Sequence, residues 1–162
     1  MSEEIKNALR LMPYGFYAVS TKTDEDVNVM VMNWVTQVSF EPRMLALGLA
    51  KNAHSRGLIE RGKVFALNIF NKADADLIKP FTKSRSKNPD KIKDAKFTSG
   101  PQTGCPILEG VAAYVECRVV KIVDIGGDHD IVVGEVISAG VRKPGEAGDT
   151  LSLPDLGWSY AG

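Results

Sequence analysis

GVAAYVECRVVKIVDIGGDHDIVVGEVISAGV, residues 110–141, decides the fold class. It holds two long runs rich in valine and isoleucine, separated by Gly126-Gly127-Asp128. β-Branched residues suit a pleated surface, and a short glycine-containing break between two such runs predicts an antiparallel hairpin. The first strand is expected over 110–125 and the second over 129–141.

Working outward, the same pattern recurs without helix alternation. GFYAVSTKT (15–23), VMVMNWVTQVSF (29–40), MLALGLA (44–50) and KVFALNIF (63–70) read as four more strands. Glu41-Pro42 ends the second of these, since proline cannot donate to a ladder. Short helices are expected over 3–11, over SRGLIERG with Ser55 as N-cap, over 72–82, and over 89–95 after an Asn88-Pro89 opening. Residues 100–106 form a Gly/Pro-rich link. About six strands with no βαβ alternation predict a mainly β protein, a closed or nearly closed antiparallel barrel.

The chain has 162 residues, which suits a single domain over 1–162. Lys plus Arg (20) equals Asp plus Glu (20), a balance that gives no support to nucleic-acid binding or an acidic membrane surface. Basic residues do cluster at Lys79, Lys83, Arg85, Lys87, Lys91, Lys93 and Lys96. That run is either a solvated face or a rim for an anionic ligand. The start MSEEIKNALRLM reads as too polar for a signal peptide, and no apolar run reaches the length expected of a membrane span. A cytoplasmic protein is expected. Cys105 and Cys117 match no redox or zinc spacing and read as reduced, packed thiols. With two histidines and no HExxH, no metal centre is expected.

Three stretches carry candidate chemistry. On an uninterrupted strand over 29–40, Asn33, Gln37 and Ser39 share one face with Val35, while Thr36 points away among Met32, Trp34, Val38 and Phe40. A buried polar group without a partner costs roughly 1–3 kcal/mol. These groups therefore pair within the protein or meet a polar ligand. In KNAHSRG (51–57), cations crowd the start of a helix, whose free N–H groups favour an anion. A phosphate would resolve that conflict; a capped surface helix is the plainer alternative. In Gly127-Asp128-His129-Asp130, the histidine is either a base or ligand or a turn residue capping a strand. The P-loop-like Gly57 to Val64 fails, because Val64 replaces the Ser or Thr that holds magnesium and the order is helix then strand. There is no GxGxxG and so no Rossmann site.

The order of pieces resembles the flavin reductase-like family. The matching pieces are Pro13 to Ser20, Asn33-Trp34-Val35-Thr36-Gln37-Val38-Ser39 with Glu41-Pro42, Lys51-Asn52-Ala53-His54-Ser55, and Phe65-Ala66-Leu67-Asn68. Pro106-Ile107-Leu108-Glu109-Gly110, Tyr114-Val115-Glu116-Cys117, Gly127-Asp128-His129 and Val133-Gly134-Glu135-Val136 complete the set. The tail Leu156-Gly157-Trp158-Ser159-Tyr160 is similar to the flavoredoxin-like branch. The resemblance implies an FMN-binding split barrel that dimerises with itself and holds FMN without a covalent bond. Asn33, Trp34, Val35, Thr36 and Ser39 would line the isoalloxazine and ribityl chain. Ala50, Lys51, Asn52, His54 and Ser55 would hold the phosphate end. His129 would lie by the flavin and help place a nicotinamide, and Trp158 or Tyr160 would cover a flavin of the partner subunit. The implied activity is hydride transfer from NADH or NADPH, a transient co-substrate, to flavin, with electrons passed on to a redox partner protein or other acceptor. The alternative is a flavoredoxin-type carrier with tightly bound FMN and no nicotinamide site. The phosphate loop has fewer hydroxyls than the family's Lys-Ser-Ser-x-Thr type, a departure that bears on flavin exchange.

Overall fold

The structure, a computed structural model, describes residues 2–160. Met1, Ala161 and Gly162, the ends of the expected 1–162 domain, lie outside the described residues. Helix α1 (Glu3–Leu9) opens the chain, capped by Ser2, whose Oγ accepts from Ile5 N at 3.3 Å. Strands β1 (Tyr17–Lys22), β2 (Val27–Met32), β3 (Val35–Phe40) and β4 (Arg43–Ala50) follow, then helix α2 (His54–Gly62) and β5 (Val64–Ile69). The remaining strands are β6 (Phe97–Ser99), β7 (Pro106–Leu108), β8 (Ala113–Asp124) and β9 (His129–Val141).

Seven strands form one antiparallel sheet in the order β2-β1-β5-β8-β9-β4-β3. The β8–β9 hairpin is its middle, as the valine-rich runs predict. The sheet curls on itself. Val19 and Met32 from one side pack with Leu47, Leu49 and Val35 from the other, around Phe65 and Val132. Yet β2 and β3, the two edges, are not hydrogen-bonded to each other. The barrel is therefore split rather than closed.

That split corrects the reading of 29–40 as one strand. Asn33 and Trp34 carry the chain from one sheet edge to the other, because β2 pairs only with β1 and β3 only with β4. A single straight strand cannot serve both edges. The face assignments also change. Gln37 lies opposite Leu45 and Ser39 opposite Met44, so Val38 is an extra, unpaired residue. Such a bulge interrupts the alternation of faces.

A second core lies outside the barrel, under β6 and β7 and two 3-10 turns, Lys72–Leu77 and Lys79–Thr82. Ile78 and Phe81 drop into it. The helix expected over 72–82 is thus a pair of tighter turns, whose shape follows these two anchors. Residues 89–95 form turns, with Asp94 N donating to Asp90 O at 3.0 Å, and not a helix. A cap and a proline cannot stabilise so short a segment alone. Strands β6 and β7, which the sequence reading did not assign, flank the Gly/Pro-rich link. Buried polar groups dock them: Ser20 Oγ donates to Pro106 O at 2.6 Å, and Leu108 N donates to Asn68 Oδ1 at 2.8 Å. The fully buried Glu116 accepts from Thr103 N at 2.8 Å and Thr103 Oγ1 at 2.6 Å, fixing the loop between them.

Candidate functional site

The crossover at Asn33-Trp34 builds one pocket. It has a volume of about 470 Å³ and is lined by Met12, Pro13, Tyr14, Asn33, Trp34, Val35, Thr36, Ala46, Leu47, Gly48 and Ile131. Trp34 packs closely against β4 at Gly48, where the absence of a side chain leaves it room. A Cβ there would come within 3.0 Å of the indole ring. Gly48 N also donates to Trp34 O at 2.9 Å. His129, opposite Ala50 in the β4–β9 register, meets the indole edge-on at 4.8 Å between centroids. Tyr160 meets it from the tail at 5.2 Å, and Trp158 meets Phe16 at 5.6 Å. Both tail aromatics thus pack on their own chain.

Asn33 Nδ2 is buried and has no hydrogen-bond partner among the described residues. Thr36 Oγ1 and Gln37 Nε2 reach only backbone carbonyls, of Gln37 and Ser39, and both side chains are exposed. Of the polar groups quoted from this segment, Asn33 is the one left wanting an acceptor.

A second pocket of about 200 Å³ opens beside β2 and the start of α2. Asn28, Met30, His54, Ser55, Thr82, Ser84, Arg85 and Lys91 are among its lining. Arg85 Nη1 donates to Asp26 Oδ2 at 2.7 Å, and His54 Nε2 lies 3.2 Å from the same oxygen and 3.0 Å from Arg85 Nη1. The Arg85 hydrogen bond holds the Asp26 carboxyl below its ordinary pKa. Burial pushes the Lys91 ammonium below its ordinary pKa, with Arg85 adding to the shift.

The expected phosphate loop divides. His54 and Ser55 line this pocket; Lys51 and Asn52 do not. Lys51 Nζ pairs with Asp124 Oδ1 at 2.7 Å, and Arg56 Nε pairs with Asp130 Oδ2 at 2.8 Å. The cations at the start of α2 therefore already have anions, supplied by the β8–β9 hairpin and Asp26. Ser55 is not the N-cap either. Ala53 occupies that position without a side-chain bond, and the buried Ser55 Oγ accepts from Asn28 Nδ2 at 2.8 Å. Asp26, Asn28 and Ser84 escaped the sequence reading. Arg85 and Lys91 were visible only as part of the basic run at 79–96.

Residues 9–155 match the family described as "Flavin reductase like domain". The chain belongs to this family. Among relatives, it is 30% identical over 88% of its length to a putative diflavin flavoprotein of Nostoc, and covers 25% of that protein. The chain thus spans about a quarter of that curated relative's length. It is 25% identical to an NADPH-flavin oxidoreductase of Streptomyces viridifaciens, covering 86% of this chain and 73% of that one. Among solved structures, the flavin reductase HpaC in complex with NADP+ superposes with a TM-score of 0.76 at 26% identity, covering 90% of each chain. An FMN-binding protein from Thermus thermophilus superposes with a TM-score of 0.73 at 25% identity, covering 82% of this chain and 73% of that one. Family membership accords with the mainly β split barrel. Among the described residues no helix is long and apolar enough to cross a membrane.

Proposed function

We propose that this chain binds FMN across the two pockets and passes it a hydride from NADH or NADPH. The observation that carries this reading is the buried, unpartnered Asn33 Nδ2 in the Trp34 pocket. An isoalloxazine edge offers carbonyl and ring-nitrogen acceptors for that donor. The apolar walls formed by Val35, Leu47 and Ile131 suit its ring faces. The second pocket, with Arg85, Lys91 and His54, suits a phosphate. When bound, FMN supplies the redox chemistry, taking the hydride and passing electrons to an acceptor. The chain's own residues bind and orient. Asn33 fixes the ring edge, Trp34 and His129 bound one side, and the basic pocket holds the phosphate end. The NADPH-flavin oxidoreductase relative and the HpaC structure with NADP+ support the nicotinamide step. The Thermus FMN-binding protein supports the choice of flavin.

The exposed edge strand β3 offers a self-association surface. Phe40 is 84% exposed and Val38 51%. A homodimer joined there is part of the proposal, as is a single domain over 1–162.

A flavoredoxin-type carrier is the second reading. It is favoured by Tyr160, whose ring packs edge-on against Trp34, a residue of the proposed ring pocket, and would have to share that space with a nicotinamide stacked there. Anaerobic addition of NADH and then NADPH to the flavin-loaded protein separates the two. Bleaching of the ~450 nm flavin band by either nucleotide is expected of the reductase. A band that resists both and falls only with dithionite overturns the reductase reading in favour of the carrier.

A further inference from the structure

Lys91 is an unusual lysine. The residue is 3% exposed, yet among the described residues its ammonium has a single acceptor, Lys83 O at 3.1 Å. No carboxylate is among its hydrogen-bond or ion-pair partners within the described residues. Another cation, Arg85, lines the same pocket and adds its repulsion. Desolvating an ammonium without a counter-charge costs several kcal/mol. A fold tolerates such a group when an anion belongs beside it.

The charges around the pocket sharpen the point. Asp26 is engaged by Arg85, and His54 lies within reach of both. These three groups satisfy one another. Lys91 is left over, in the lining of the same pocket of about 200 Å³ as Arg85 and His54. At ~30 Å³ per water in the liquid, that volume holds only a handful of waters. It suits one phosphate group.

We propose that Lys91 is the residue that selects a terminal phosphate monoester, and so FMN over FAD, at this site. The proposal rests on the flavin reading of the two pockets. A phosphate monoester carries about 1.5–2 negative charges at neutral pH. Each phosphorus in the pyrophosphate of a dinucleotide carries only one. With Asp26 holding part of the charge of Arg85, a second cation is needed to favour the more highly charged group. Lys91 supplies it, from the insertion at 79–96 rather than from the loop at 51–55. Ser84, also in the lining, adds a hydroxyl, whereas that of Thr82 already donates to Lys79 O at 2.7 Å.

The test is a set of fluorescence titrations with FMN, FAD and riboflavin, on wild type, Lys91→Met and Lys91→Gln. Riboflavin lacks the phosphate and reports the ring pocket alone. The expected result for both variants is FMN affinity reduced at least tenfold, riboflavin affinity unchanged, and the preference for FMN over FAD lost. Equal losses for FMN and riboflavin would mean that Lys91 only supports the fold, and overturn the proposal. So would an unchanged ratio of FMN to FAD. A wild type that binds riboflavin and FMN equally tightly overturns this inference and leaves the ring pocket standing. A wild type that binds no flavin at all removes the flavin reading itself. Inorganic phosphate gives a readout without flavin. It should raise the thermal midpoint of wild type and leave Lys91→Met unmoved; an equal rise in both would count against the assignment.

Discussion

The imidazole of His129 meets the indole of Trp34 edge-on, 4.8 Å between ring centroids, although 95 positions separate them in the chain. The contact joins the first residue of β9 to the crossover between the two sheet edges. It depends on Gly48, which leaves room for the indole against β4. Gly48→Val is therefore expected to push Trp34 off the sheet, at a cost of about 1–3 kcal/mol in stability and with weaker flavin binding. Urea unfolding and a flavin titration check this; a variant equal to wild type in both would show that Trp34 does not need the space.

Asn33 makes a prediction of opposite signs. Its Nδ2 is buried without a partner, so the flavin-free protein carries a penalty of roughly 1–3 kcal/mol. Asn33→Leu should leave the flavin-free protein as stable as wild type or more so, and reduce flavin affinity at least tenfold. Melting curves with and without FMN measure both. A less stable flavin-free variant would mean that the amide already has a partner.

Asp26 pairs with Arg85 and lies within reach of His54, two residues that line the smaller pocket. Its carboxyl is held low chiefly by its hydrogen bond from Arg85. The stability this pair contributes is present above the ordinary carboxylate range and is lost as pH falls through the lowered value. Asp26→Asn releases Arg85 and removes a negative charge, so inorganic phosphate should bind severalfold more tightly at pH 7. Thermal shift against phosphate concentration gives the comparison. Weaker phosphate binding in the variant would show that Asp26 is needed to orient Arg85.

The two cysteines predict an alkaline dependence. Burial pushes the Cys105 thiol up to about 11 and the Cys117 thiol up to about 12. Their ordinary value is 9.0. Between pH 9 and 11 the unfolded chain loses these protons while the folded chain keeps them. Stability should fall as pH rises, by ~1.4 kcal/mol per pH unit for each thiol. Denaturant unfolding at pH 8 to 11 (about three units), compared with a Cys105→Ala/Cys117→Ala variant, isolates this part of the slope. Parallel curves would show that the thiols do not titrate differently on unfolding.

The edge strand supplies a test of assembly. Val38→Lys with Phe40→Lys places charges on the exposed side chains of β3, a device that discourages strand-edge association. Sedimentation should show a dimer for wild type and a monomer for the variant. A dimer in both would place the interface elsewhere.

Much of the barrel was legible because its strands are local patterns. The 110–141 hairpin, β1, β4 and β5 are written as runs of β-branched and apolar residues, and their type does not depend on distant partners. The family resemblance of the pieces from Pro13 to Val136 added the order in which such runs belong. The break at Asn33-Trp34 was not legible, since an apolar run looks the same whether it serves one edge of a sheet or two. Nor were β6 and β7, whose short strands are held by Ser20 and Asn68 from far along the chain.

The candidate site divides in the same way. Sequence alone determined that Asn33, His54 and His129 lie in polar interruptions of apolar runs, and that cations gather at 51–56 and 79–96. Only the tertiary structure decided how those charges are shared. Lys51 and Arg56 are paired by Asp124 and Asp130, on a hairpin more than 70 residues away. Among the described residues Lys91 receives no such partner. The physical reason is that charge pairing depends on separation in space and on burial, and neither can be read from spacing along the chain.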